Sequence, residues 1–266
     1  MLLAEPNRTP YDLNFEVFGI PIRVHPLFFL LPLLLSRGAL SSANMNVGVG
    51  LLVVCTVFFV SILVHELGHS LAFRYYGVSS HITLYWLGGL AVPDGTSWGR
   101  TSNRGAGTPL SQIVISLAGP FAGFALAGVF AAIAMAMGAG IELGWEAIFP
   151  STRLVVPEGE LESRAALWTF LGIGLWINIF WNLLNLMPVI PLDGGQVSRQ
   201  IFAVNDPWNG IRNATILSIV VGGLIAVWGL SRGDHFMGIM FGMLAFSNYQ
   251  SLAMTGTGGF GGGRPW

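Results

Sequence analysis

The chain has 266 residues, of which 53% are hydrophobic and 9% are charged, and its mean hydropathy is +0.67. Soluble domains carry about 25% charged residues, so this composition excludes an ordinary soluble protein and indicates an integral membrane protein. The net charge is −1 and lysine is absent, which gives no reason to expect nucleic-acid binding. The single cysteine, Cys55, excludes an intramolecular disulfide.

Apolar segments dominate the chain, after an N-terminal stretch in which residues 15–20 alternate like a surface strand. Six segments are candidate membrane spans: Val24–Leu35, Val47–Phe73, Leu110–Met137, Leu167–Met187, Ile211–Leu230 and Phe236–Ala253. The first of them is short and contains Pro26 and Pro32, which makes it the weakest candidate. The sequence therefore predicts an all-α polytopic membrane protein with about six transmembrane helices.

The second apolar segment runs directly into an H-E-x-x-H motif, His65 to His69. Residues i and i+4 share one face of a helix, so His65 and His69 can bind one zinc ion. Glu66 follows the first histidine, where it can reach a metal-bound water as general base. The alternative is a pair of core histidines, but ionisable side chains in lipid are costly and usually mark function. The pattern therefore favours a metal site.

The segment after this motif, residues 82–92, is apolar but too short to cross a bilayer. Its β-branched and aromatic residues and the pair Gly88-Gly89 predict a short re-entrant, β-like piece near the motif. Such backbone is tolerated at membrane depth only where protein or water covers it. An interfacial loop explains the composition equally well, so both interpretations stay open.

Two further segments are polar or of low complexity. Residues 140–163 carry five glutamates and are expected to form a solvated loop with at most an amphipathic turn. Residues 255–266 are rich in glycine and are expected to form a flexible tail. The remainder, residues 1–254, is predicted to be a single membrane-embedded domain.

A catalytic zinc ion usually has three protein ligands and a water, so two histidines leave one ligand to find. Asp193 is the one aspartate at the end of an apolar span, where Pro188 and Pro191 break the helix. The glycines after it, Gly194 and Gly195, are expected to free the backbone to aim its carboxylate. A simple Asp-Gly-Gly turn is the alternative.

The distribution of arginines predicts the orientation in the membrane. With six spans, the side that holds both termini carries eight of the twelve arginines, which makes that side cytoplasmic. The same count puts Asp193 on the side of His65 and His69. At 1.5 Å per residue, His65 lies about 13 Å below an interfacial anchor at residues 74–76.

Several motifs together resemble the site-2 protease family of intramembrane zinc metalloproteases. The similar pieces are FGIPIRVHPLF (18–28), HELGHSLAFRYYGV (65–78), YWLGGLA (85–91), SLAGPFAG (116–123) and NLLNLMPVIPLDGGQ (182–196). They reach across about two thirds of the chain in the order typical of the family. The chain resembles a minimal form, without the PDZ or CBS domain of many relatives.

The resemblance implies that His65, His69 and Asp193 bind one Zn²⁺ per chain and that Glu66 is catalytic. It implies hydrolysis of peptide bonds within or near transmembrane segments, with zinc and Glu66 activating water as the nucleophile. The partners are then the lipid bilayer and a transmembrane protein or peptide, which an exposed strand edge at residues 82–87 would bind by β-augmentation. Gly88 and Gly89 would present this substrate. A bacterial or archaeal cell membrane is expected, with the active site opening to the cytoplasm.

The sequence departs from the family at one position. The pattern A-G-P-x-x-N has Gly123 where asparagine is often found, so a polar contact there is missing or supplied elsewhere. Asn178 and Asn185 match positions in the later family motif. Asn185 is the candidate for a substrate contact, although an asparagine that caps the broken helix is equally consistent.

Two other classes of function stay open at this point. A metal transporter would also place histidines and carboxylates in the membrane, but it predicts further such residues along other spans. Apart from His25 and His235 near the segment ends, none is present. An inactive relative that serves as a scaffold is disfavoured by the intact ligands and base.

Overall fold

The computed structural model describes residues 5–35, 46–86, 88–94, 105–146 and 149–257. Several residues used in the sequence arguments lie outside these ranges: Arg37, Leu87, Arg100, Arg104, Arg264 and the predicted tail beyond Thr257. The orientation derived from the arginines therefore stays a prediction.

The helices and strands follow one another along the chain as follows. They are β1 (Leu13–Val17), β2 (Ile20–Val24), a 3-10 turn (Pro26–Phe29), α1 (Leu30–Leu35), α2 (Val47–Tyr75), β3 (Ser80–Tyr85), β4 (Gly88–Pro93), α3 (Pro109–Ala136), β5 (Gly140–Glu146), β6 (Phe149–Val155), α4 (Glu160–Ser163), α5 (Ala165–Asn185), α6 (Asp193–Asn205), α7 (Gly210–Ser231) and α8 (His235–Thr257).

Four of these helices, α2, α3, α5 and α7, are long and apolar enough to cross a bilayer, as in a multi-pass integral membrane protein. The prediction of about six spans is thus supported for four. The first predicted span consists of a 3-10 turn and the six-residue α1. Pro26 and Pro32 lie in the first turn of these two elements, where proline is tolerated, unlike in a helix interior. The last forms α8, a helix of 23 residues that is not among the four.

The expectation of an all-α protein is wrong in one respect, because the described residues contain two small sheets. The larger sheet has the order β1-β2-β3-β4, in which β2 and β3 are parallel and the outer pairs are antiparallel. The extended conformation expected for residues 82–92 is confirmed by β3 and β4. The single strand expected at residues 15–20 is instead a hairpin, whose turn places Phe18 (φ 53) and Gly19 (φ 77) in the left-handed region.

The acidic segment at residues 140–163 also differs from the expected loop, because most of it is the hairpin β5–β6. Its alternating apolar residues explain the difference: Ile141 lies opposite Leu154, and both pack against buried residues of α3 and α5. That buried cluster consists of Ala127, Phe130, Ala134, Ala139, Trp168, Leu171 and Leu175. Burial of these apolar side chains stabilises the hairpin, while Glu142 between them stays exposed to solvent.

The chain divides into two compact units. One comprises residues 5–107 and 118–184, and so contains α2, both sheets and α5. The other comprises residues 108–117 and those from 185 onward, with α6, α7 and α8. Within the second unit α7 and α8 pack through small residues, since a side chain at Gly229 would begin 3.0 Å from the backbone nitrogen of Gly238.

Helix α2 ends in a Schellman motif that leads the chain into the large sheet. Gly77 adopts φ +78, its N–H donates to the carbonyl of Arg74, and the N–H of Val78 donates to the carbonyl of Phe73. Val78 is buried, and β3 begins two residues later. The motif therefore fixes the distance along the chain between the histidines of α2 and the strands β3 and β4.

A buried arginine joins the large sheet to the N-terminal segment. Arg23, 6% exposed, lies 2.8 Å from Oε1 of Glu5 and 3.0 Å from Oδ2 of Asp12. Burial alone would raise the pKa of Glu5, but hydrogen bonds from Thr83 and Arg23 outweigh it, so the pKa is lowered. Hydrogen bonds from Thr9 and Arg23 lower the pKa of Asp12 to about 2. Both carboxylates are therefore charged at neutral pH and stabilise the buried guanidinium.

Replacement of Arg23 by alanine should destabilise the sheet, because two carboxylates lose their partner. We expect the melting temperature in detergent to fall by roughly 5–10 °C at pH 7. The effect should shrink as the pH falls through the lowered pKa values of Glu5 and Asp12, since protonation removes the interaction in the wild type as well. Arg164→Ala is the control, because its pair with Glu160 is exposed. Equal melting temperatures for the two variants would show that the contacts of Arg23 with Glu5 and Asp12 do not stabilise the sheet.

Candidate metal centre

His65 and His69 lie one turn apart on α2 and direct their imidazoles to a common point. Their Nε2 atoms are 3.1 Å apart, and the residues are 3% and 8% exposed. In a tetrahedral site with zinc–nitrogen bonds of 2.0–2.1 Å, two ligand nitrogens are about 3.3 Å apart. The pair is therefore spaced like two ligands of one ion, as the i, i+4 spacing predicts.

Asp193, the third predicted ligand, is the half-buried first residue of α6. One ligand atom from each of His65, His69 and Asp193 lies within 4.8 Å of the others, so the three form a candidate metal centre. Two imidazole nitrogens and one carboxylate are a donor set typical of catalytic zinc, which keeps a fourth position for water or substrate. The binding of zinc by these three residues stays a prediction.

Glu66, the predicted base, is 5% exposed and lies against strand β4. A Cβ at Gly89 would be 2.6 Å from Oε1 of Glu66 and closer still to its Cγ, so any side chain there would displace the carboxylate. Gly88 has φ +118, and a Cβ there would be 2.8 Å from the ring of Trp181. Both glycines therefore make room for neighbouring side chains, and their predicted role in presenting substrate stays a prediction.

A buried tyrosine, Tyr85, lies on strand β3 near Glu66. Tyr85, the last residue of β3, is 2% exposed. Its burial, followed by the negative charge of Glu66, raises the pKa of Tyr85 to about 12. The phenol therefore stays neutral at any physiological pH.

Helix α3 approaches the histidines through the glycines of the SLAGPFAG segment. A Cβ at Gly119 would lie 2.1 Å from Nε2 of His69, and a Cβ at Gly68 would lie 2.4 Å from the carbonyl oxygen of Ala118. No side chain fits at either position without moving a ligand or a helix backbone. The segment therefore leaves the space that the His69 imidazole occupies.

One important residue was missed by the sequence reasoning, which selected Asn178 and Asn185 but not Asn182. Asn182 is 1% exposed, and its Oδ1 lies 2.7 Å from Nδ1 of His65. A signal was present, because an amide inside an apolar span needs a buried partner. Asn185 is the half-buried last residue of α5, and its predicted substrate contact stays a prediction.

The loop before Asp193 is held by polar side chains of α7 and α8. Ser218 accepts a hydrogen bond from the backbone N–H of Ile190 at 3.0 Å, and Asn248 donates to its carbonyl oxygen at 2.6 Å. The side chain of Ser218 is fully buried, and that of Asn248 is nearly so. They satisfy the backbone that the two prolines leave unpaired, which fixes the chain that leads to Asp193.

The glycines that follow Asp193 act by their size. Both lie in ordinary helical backbone of α6, so the expected conformational freedom is not used. A Cβ at Gly194 would lie 2.0 Å from the carbonyl oxygen of Leu186, and a Cβ at Gly195 would lie 2.4 Å from the nitrogen of Ile190. Their role is to let the preceding loop pack directly on the first turn of α6.

A sequence description of peptidase family M50 matches residues 53–227, which include both histidines and Asp193. The chain belongs to peptidase family M50. It is 26% identical to a zinc metalloprotease of Methanocaldococcus jannaschii over 71% of this chain and 44% of that protein. A Synechocystis protein that is provisionally named a zinc metalloprotease is 32% identical over 70% of this chain and 42% of its own length. The chain thus spans less than half the length of these two relatives.

A solved structure supports the same fold. The site-2 protease from Methanocaldococcus jannaschii matches with a TM-score of 0.53 and 22% sequence identity, over 91% of this chain and 95% of that one. At this identity the match shows the fold alone. The chain therefore has a site-2 protease fold.

Replacement of Gly119 by alanine tests the space around His69. The added Cβ should push the imidazole away from its position and weaken zinc binding roughly tenfold or more, measured by competition with a chromogenic chelator. Gly128→Ala on the same helix is the matched control, because a Cβ there meets nothing within 4 Å. Unchanged zinc affinity in a folded Gly119→Ala protein would show that this packing is not needed for the ligand.

Proposed function

We propose that this chain is an intramembrane zinc metallopeptidase that cleaves peptide bonds within or near transmembrane segments of membrane proteins. The observation that carries the proposal is the buried pair of imidazoles, 3.1 Å apart at Nε2, within a helix long and apolar enough to span a bilayer. Membership of a peptidase family supports this activity over a metal transporter. The names of the relatives support zinc as the metal.

In this proposal His65, His69 and Asp193 hold the ion, and Glu66 is the general base. Bound zinc supplies a Lewis acid that polarises the scissile carbonyl and lowers the pKa of water toward ~7. The Glu66 carboxylate accepts a proton from the attacking water as the new carbon–oxygen bond forms. It then gives a proton to the amide nitrogen as the carbon–nitrogen bond breaks, which releases the amine.

Substrate binding requires an unwound segment, because helical carbonyls are engaged in hydrogen bonds and shielded. The expected free edge at residues 82–87 is corrected by the structure, since β3 pairs on both sides, with β2 and β4. In the described residues β4 is the outer strand, and its Gly89 adjoins Glu66. We therefore assign β-augmentation to the edge of β4 at Gly88–Pro93, beside the proposed base.

The remaining assignments follow the resemblance to the family. Asn185 would contact the substrate, and Gly88 and Gly89 would let it lie close to Glu66. The partners are the bilayer and a transmembrane protein or peptide. The termini and the opening of the site would face the cytoplasm of a bacterial or archaeal cell, as the arginine count indicates.

Replacement of Glu66 by glutamine tests the activity. The variant should keep zinc at about one ion per chain and lose cleavage by roughly 10²- to 10⁴-fold, because the amide cannot accept the proton. The measurement compares membrane-protein fragments in cells that express wild type or Glu66→Gln, and then repeats the cut with the purified proteins and one identified substrate. New termini should fall within or next to a transmembrane segment. Identical fragments from both proteins would refute the assignment of the base.

Replacement of His65 or Asp193 by alanine tests the ligands. Each variant should purify with far less than one zinc per chain, measured by atomic absorption, since a two-ligand site binds zinc weakly. Matched controls are His235→Ala at the start of α8 and Asp206→Ala after the end of α6, which should keep the metal. A ligand variant with the same zinc content as its control would exclude that residue from the site.

A further inference from the structure

The amide of Asn182 can take only one orientation in this structure. Its Nδ2 contacts the carbonyl oxygen of Asn178, one turn earlier on α5. A carbonyl can only accept, so the contact identifies the donor end of the amide. Oδ1 is therefore the atom that faces Nδ1 of His65 at 2.7 Å.

This orientation decides which nitrogen of His65 carries the proton. Because an amide oxygen can only accept, Nδ1 of His65 must donate to it. A neutral imidazole protonated at Nδ1 has its lone pair on Nε2. That Nε2 is the atom that lies 3.1 Å from Nε2 of His69, toward the candidate metal centre. Asn182 thus prepares His65 to bind a metal.

Asn178, on the preceding turn of α5, is itself held by hydrogen bonds. Asn178 is 1% exposed and donates from Nδ2 to Oγ of Ser61 and to the carbonyl oxygen of Gly174, each at 2.8 Å. Ser61 lies on α2, one turn before His65. The two asparagines therefore connect the same two helices at successive turns.

Gly123 on α3 faces the amide of Asn182. A Cβ at position 123 would lie 2.0 Å from Nδ2 and 2.6 Å from both Cγ and Oδ1 of Asn182. No side chain fits there while Asn182 keeps its place.

We infer that Asn182 is the positioning residue for His65, and that Gly123 on α3 leaves the space that its amide occupies. Gly123 and Asn182 are then one unit, in which glycine on one helix makes room for asparagine on the other. This inference rests on the proposed function, because the role of His65 as a zinc ligand gives the positioning its purpose.

Substitutions at the two positions test whether the amide can be supplied from α3 instead of α5. Asn182→Ala should weaken zinc binding roughly 10- to 100-fold, the usual effect of losing a partner of a ligating histidine. Gly123→Asn alone should also weaken it, because two amides compete for one space. The double variant Asn182→Ala with Gly123→Asn should recover an affinity within about threefold of wild type. Gly128→Asn on α3 is the matched control and should change nothing.

The protonation of His65 gives a readout that does not depend on activity or on metal. In the metal-free protein, ¹⁵N chemical shifts of labelled histidine should show His65 protonated at Nδ1, and in Asn182→Ala a mixture of both tautomers. Asn182→Leu, which fills the space without an acceptor, should give the same mixture and covers the case in which the alanine variant does not fold.

Two results would overturn the inference. One is a wild-type His65 protonated at Nε2, and the other is a double variant with zinc affinity no better than the worse single variant. The proposed function is tested separately: it fails if Glu66→Gln leaves cleavage unchanged or if His65→Ala leaves the zinc content unchanged. A protein that cleaves and binds zinc normally without Asn182 would keep the function and exclude the positioning role.

Discussion

A polar side chain inside an apolar helix is stable only if a neighbouring element supplies its hydrogen-bond partner, and this constraint binds α2 to α5. His65 is satisfied by Asn182, which is satisfied in turn by the carbonyl of Asn178. An unpartnered amide or imidazole would cost several kcal/mol in hydrocarbon, so the helices are held in one register. The hydrogen bonds that make the buried polar groups tolerable are also the ones that orient the proposed ligand.

The second constraint is space: several side chains and loops of the candidate site pack directly against backbone, which only glycine allows. Gly119 faces His69, Gly89 faces Glu66, and Gly194 faces the backbone of Leu186. At each place an added methyl group would overlap atoms of the site or of its supporting loop. The large number of glycines in this chain, 36, is therefore partly a matter of volume around functional side chains.

The sequence predicted the parts of the site that depend on local geometry. Helical spacing placed His65 and His69 on one face, and the apolar context distinguished them from surface histidines. The position of Asp193 at a broken helix end, together with the family motif, selected the third candidate. The inference about the histidines rests on neighbours in the chain alone, whereas the choice of Asp193 also used the arginine count and the family motif.

Features that depend on long-range pairing could not be predicted in the same way. Alternation indicated extended backbone at residues 15–20, and β-branched and aromatic residues indicated it at residues 82–92. Neither signal showed that β3 would lie inside a sheet with β2 on one side. Asn182 looked like one more asparagine in an apolar span until its distance from His65 was known. The effect of Gly123 is likewise visible only from the side chain that fills its space.

The parallel pairing of β2 with β3 sets an order of events during synthesis. Ile22 pairs with Ile82, and the whole of α2 lies between them in the chain. β2 must therefore leave the ribosome well before its partner strand exists, and the sheet can close only after α2 has been made. The outer strand β4, which comes later still, joins the sheet when the helix with both histidines is already complete. The proposed substrate-binding edge is thus the last part of this sheet to be made.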